Sequence, residues 1–160
     1  MGAVGLRKYG LGSLSGGVAG FRHNMRVLAA HLARTHFGVE LPRPELAPSQ
    51  VIPFLLGEAS GAPELWNQRA YLARVVTFQE DGRALDEGVL PLQHFLDTGG
   101  PEAVAMTVET DDRGEHRPAV YVRHRGGVHE VVLPGDPLLV FDSPAHRRHL
   151  SEALRPLLPP

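Results

Sequence analysis

The chain has 160 residues, no cysteine, 42% hydrophobic and 21% charged residues, and a formal net charge of −2. That length suits one folded domain, which buries roughly 70% of the surface its unfolded form exposes. The missing thiols exclude disulfides, cysteine-ligated zinc, iron–sulfur clusters and cysteine nucleophiles, and they agree with a reducing, cytoplasmic location as the expectation.

Mean hydropathy is −0.13, within the range of globular chains. No apolar run approaches the ~18 residues that span a bilayer, and the best of them, Val51 to Leu56, is interrupted by Pro53. A soluble protein with no membrane partner is therefore expected. Charge is segregated. From Met1 to Arg43 six positive residues stand against one negative, from Pro44 to Glu115 four against thirteen, and from His116 onward six against four. A basic arm facing an acidic surface, its own or a partner's, would have this pattern. Lys8 is the one lysine, so almost every cation is an arginine, which is suited to bidentate contact with carboxylate or phosphate.

The first 20 residues, MGAVGLRKYGLGSLSGGVAG, hold seven glycines and no acidic residue, and they read as an arm outside a single domain of residues 21 to 160. Phosphate-cradling loops do not fit the arm. Ser15 stands where a dinucleotide fingerprint needs its third glycine, and Val18 follows Gly17 where a Walker loop needs lysine. Residues 21 to 37 then predict an amphipathic helix, with Phe21, Met25, Leu28 and Leu32 at i, i+4, i+7 and i+11. Its other side carries His23, Arg26, Ala30 and Arg34. Together with Arg7, Lys8 and Arg22, the residues His23, Arg26 and Arg34 are the candidate partner-binding set.

After a proline-rich connector, Val51 to Gly57 reads as a short buried strand and Glu64 to Leu72 as a helix opened by Pro63. Val75 to Phe78 reads as a strand, and Pro91 to Leu96 as a helix closed by Gly99 and Gly100. Asp86 and Glu87 look like a loop. Four strand-like runs follow, 103–110, 118–124, 128–133 and 138–141, divided by turn residues. Ser143 as N-cap with Pro144 behind it starts a last helix that runs to about Leu154.

The segment YVRHRGGVHEVVL tests for metal chemistry. His129-Glu130 begins a zinc-protease signature, but Leu133 stands where the second histidine belongs, and the motif needs a helix. A two-residue turn at Gly126-Gly127 would instead set His124 opposite His129 and Arg123 opposite Glu130 across a hairpin. His116, His124 and His129 are then the candidate metal ligands. His146, Arg147 and His149, near the start of the last helix, are a candidate anion contact.

These readings add up to an α+β fold, a meander of four to five antiparallel strands packed against an N-terminal and a C-terminal helix. No nucleophile elbow or other catalytic set is legible, and no cofactor is expected. The function expected is a non-enzymatic interaction module or accessory subunit, engaging an acidic protein partner or itself through the arm and basic helix. Nucleic-acid or phosphate binding by the same arm, and a histidine-metal enzyme, are the alternatives.

Overall fold

The computed structural model describes residues 14 to 158. In chain order these are α1 (Val18–Phe37), β1 (Glu45–Leu46), α2 (Pro48–Gly61), α3 (Pro63–Asn67), β2 (Leu72–Phe78) and β3 (Ala84–Pro91). The chain continues through α4 (Leu92–Asp97), β4 (Ala103–Thr110), β5 (His116–His124), β6 (Gly127–Val132) and α5 (Pro144–Leu154). The fold is α+β, with helices at both ends of an antiparallel sheet. Six strands lie in the order β1-β3-β2-β4-β5-β6, one more than the upper expectation. No helix among the described residues is long and apolar enough to cross a membrane.

The main core lies between one sheet face and the pair α2 and α5. Val51, Leu55, Leu56 and Ala59 of α2 and Leu150 and Leu154 of α5 cover Val76, Val104, Met106, Val120 and Val122. Burying each large aliphatic side chain stabilises the fold by about 1.5–3 kcal/mol relative to exposure. On the opposite face, Leu92 and Phe95 of α4 cover Ala73, Val75, Ala103 and Ala105. Small residues there let α4 lie close to the sheet.

Several segments depart from the expectations in ways that shape the molecule. Residues 51 to 57 are helical, not extended, because Val51, Leu55, Leu56 and Ala59 recur at helical spacing and all reach the core. Pro53 lies on the exposed side of the helix, where the Ser49 carbonyl that loses its amide donor can face water instead. Residues 84 to 91 form β3, because the buried Asp86 is neutralised by Arg74, which reaches it diagonally from the neighbouring strand β2.

Residues 138 to 141 are not a strand. The carboxylate of Asp136 collects the amides of Leu138 and Val140, at 2.8 and 3.3 Å, and Leu139 has a positive φ of 59°. That local turn chemistry competes with sheet pairing. Ser143 caps α5 as expected, its Oγ accepting from the His146 amide at 3.4 Å.

Candidate functional site

α1 begins at Val18, and the chain is already anchored before it. The Leu14 amide donates to Asn67 O at 3.0 Å, and Ser15 Oγ donates to Gln68 Oε1 at 3.0 Å. Gln68 Nε2 in turn donates to Gly20 O at 2.7 Å. A Cβ on Gly20 would stand 2.4 Å from the backbone of Leu14, so only glycine lets the helix approach this closely. Gly38, at φ 63°, closes α1, and the Val39 amide bonds back to Ala33 O at 3.0 Å.

The attachment uses the side of α1 that the sequence marks as basic. Gly20 and His23 are its buried residues, while the apolar stripe of Phe21, Met25, Leu28 and Leu32 stays substantially exposed. β1 pairs only with Ala84 and Leu85, so the far end of β3 is a free sheet edge, and α1 lies against it. Two hollows result. A groove of about 560 Å³ separates Phe21, Met25 and Leu28 of that stripe from Tyr71, Leu90, Pro91 and His94. A shallower cleft of about 260 Å³, on the other side of Arg34, is lined by His23, Arg26, Arg43, Arg74, Glu64 and Glu87 among others.

His23 is 1% exposed. Its Nε2 accepts from Arg22 Nε at 3.3 Å, which places the proton on Nδ1, and Nδ1 lies 3.9 Å from Glu64 Oε1 with no hydrogen-bond partner. Burial holds its pKa below the ordinary histidine value; Glu64 opposes that shift, while Arg22 and Arg26 add to it. The unfolded chain therefore binds the proton more tightly, and the stability His23 contributes is present above pH ~6.5 and lost as pH falls through the lower folded value. Wild-type protein is expected to lose more thermal stability between pH 7.5 and 5.0 than His23→Gln, measured by circular dichroism. Equal losses would show that His23 is not the group that titrates.

The other candidate residues are dispersed. His116 meets Trp66 edge-on at 5.3 Å, and His129 is exposed on β6. His124 Nδ1 is 2.5 Å from Glu102 Oε2, and the same carboxylate accepts the Arg125 amide at 2.9 Å. That latch moves the turn one residue back. Arg125 and Gly126 both have positive φ, 51° and 78°, so His124 pairs with Gly127 and His129 with Val122. A one-residue shift in the turn displaces every cross-strand partner by two, so neither the His124–His129 pair nor the Arg123–Glu130 pair forms. Arg123 instead packs over Phe95 and donates to Phe95 O and Thr98 O. Among the described residues no three metal-ligating side chains converge.

Near α5, His146 is buried between Ser143 Oγ at 2.7 Å and Pro134 O at 2.9 Å, Arg147 pairs with Asp142, and His149 Nδ1 is 2.7 Å from Ala145 O. His146 and Arg147 thus tie the helix to the chain before it, and His149 bonds within the helix. Arg7 and Lys8 lie outside the described residues. What sequence reasoning missed is the groove's second wall, Tyr71 and Leu90 to His94, since the sequence predicts Tyr71 in a helix over 64 to 72, Asp86 and Glu87 in a loop, and Pro91 to Leu96 in a separate short helix. In the structure the earlier helix ends at Asn67. Comparison with protein families, with curated proteins and with solved structures finds no match to this chain.

Proposed function

We propose that the protein is an interaction module or accessory subunit that engages an acidic partner through Arg26 and Arg34, which stay exposed on the basic side of α1 while His23 of that side is buried. One observation carries the reading. α1 bears Arg22, Arg26 and Arg34 and no acidic residue, and Arg26 and Arg34 make no ion pair among the described residues. Elsewhere Arg43, Arg74, Arg83, Arg117 and Arg147 are held by carboxylates of the chain itself, whereas α1 gathers its arginines on one helix without an acidic residue. A guanidinium without an internal partner presents its fork of donors to an external carboxylate or phosphate, and a run of like charges steers such a partner during encounter. Arg7 and Lys8 add to the same charge along the chain.

The test uses two polyanions as probes, poly-L-glutamate and a short duplex DNA, against wild-type protein and Arg26→Glu/Arg34→Glu. Polyglutamate binding that weakens at least tenfold on charge reversal, and also with added salt, is the expected result. Binding of the duplex in preference to polyglutamate, with a steep linear log–log salt dependence, would favour the nucleic-acid reading instead. Polyglutamate binding indifferent to the reversal sinks the proposal.

A further inference from the structure

The spacing of the exposed residues on α1 specifies more than charge. Val18, Phe21, Met25, Leu28 and Leu32 follow one another at intervals of three, four, three and four, and they are 84%, 51%, 42%, 46% and 39% exposed. An apolar repeat averaging 3.5 residues is the seam of a coiled coil, in which each side chain enters a hole on a facing helix. A surface helix whose partner is its own domain buries that seam; this one leaves it exposed, with Phe21, Met25 and Leu28 lining the groove. Over its 20 residues the helix is about 30 Å long, enough for a facing helix of similar length.

The residues flanking the seam identify the charge of the missing helix. In heptad terms the flanking positions hold Arg22, Asn24, Ala29, His31 and His36, none of them acidic. The groove itself is lined by His31, Arg34 and His94 and by no carboxylate. A second copy of α1 would bring flanks that likewise carry no carboxylate, so it offers nothing to answer Arg22 or the histidines. A helix with aspartate or glutamate at those flanks would be complementary along its whole length. The volume, apolar lining and few convergent polar groups suit one inserted helix face.

We infer that the groove between α1 and the Tyr71, Leu90–His94 wall is the docking site for an amphipathic α-helix of a partner protein, with an apolar 3.5-residue seam and acidic flanks. The inference rests on the acidic-partner reading and adds the partner's secondary structure and the site of its apolar contact.

Two synthetic 21-residue peptides test it, each with isoleucine and leucine at the seam, one with glutamate and the other with lysine at every flanking position. Like charge keeps each from pairing with itself. Fluorescence anisotropy with the whole chain is expected to show the glutamate peptide binding at least tenfold more tightly than the lysine peptide. Leu28→Asp and Met25→Asp should each weaken it at least tenfold while leaving the thermal midpoint near wild type, since both side chains are already open to solvent.

Equal binding of the two peptides, no binding of either, or binding indifferent to both substitutions overturns the inference. So does a dimer seen by light scattering without peptide and abolished by Leu28→Asp, because a second copy would then fill the groove. The underlying reading fails separately. If polyglutamate binds and responds to charge reversal at Arg26 and Arg34 while the glutamate peptide does not bind, the acidic-partner reading stands and only the groove is wrong.

Discussion

Replacing Asp86 with alanine is expected to destabilise the protein by about 3 kcal/mol, the lower end of what breaking a buried ion pair costs. Asp86 is 5% exposed and accepts from Arg74 Nε at 2.8 Å, from Arg74 Nη2, and from the Gly88 amide at 2.9 Å. The last bond belongs to a bulge. Val75 pairs with Gly88 and Val76 with Asp86, so Glu87 is extra, and Gly88 takes a φ of 82° to absorb it. Alanine would leave Arg74 with Glu58 alone, 3.3 Å away, and the Gly88 amide without its acceptor. Arg74 is partly exposed and lies over the Phe54 ring, which is why the expected cost is not larger.

The pair can be isolated by a double-mutant cycle. Urea unfolding of Asp86→Ala, Arg74→Met and the double variant should show strong non-additivity, the double variant losing less than the sum of the singles. Loss of Asp86 also removes a negative charge that, after burial, keeps the Glu58 carboxyl above its ordinary value, so the Glu58 pKa should fall. A group raised in the folded state contributes stability that is lost as pH rises through its folded value, and that loss should shrink in the variant. A destabilisation below about 1 kcal/mol would mean that water replaces the pair without penalty, and that β3 owes its place to packing alone.

Phe141→Ala is expected to cost about 3–5 kcal/mol, the range for deleting a fully buried aromatic ring. Phe141 is fully buried, stacked parallel to Trp66 at 6.3 Å and met edge-on by His146 at 5.6 Å. Its amide donates to Ser60 Oγ at 2.9 Å, which ties the irregular segment before α5 to the end of α2. Removing the ring opens a cavity between Ser60 of α2, Trp66 of α3 and His146 of α5. For a domain of this size a loss of ~4 kcal/mol lowers the melting temperature by about 10 °C. Phe141→Leu, which keeps much of the volume, should cost less than half as much. Comparable losses in the two variants would show that aromatic stacking, not filled space, is the larger contribution.

Legibility followed the range of the interactions. Ser143 with Pro144 named the start of α5 correctly, because capping is a matter of four consecutive residues. The strands at 103–110 and in the hairpin that follows were also plain, since alternation and turn residues are local signals. β3 was not, because Asp86 and Glu87 belong in a strand only when Arg74 and Thr77 stand across from them. α2 was misread as a strand for a related reason. A short apolar run interrupted by proline has no reliable period until a sheet face selects which side is buried.

The candidate site divides the same way. That α1 is a helix with an apolar stripe and a basic stripe was determined by the sequence alone, because 3.6-residue geometry assigns faces without reference to the rest of the chain. Which stripe would be buried was decided only by tertiary structure. Gly20, Ser15 and Gln68 hold the helix by its His23 side, and α2 and α5 already cover the sheet face that the apolar stripe would otherwise have occupied. The outcome is an apolar seam left open beside unpaired arginines. A hydrophobic pattern states how much apolar surface a helix must cover, but the cover comes from whichever surface reaches it first in the folded chain, or from another molecule.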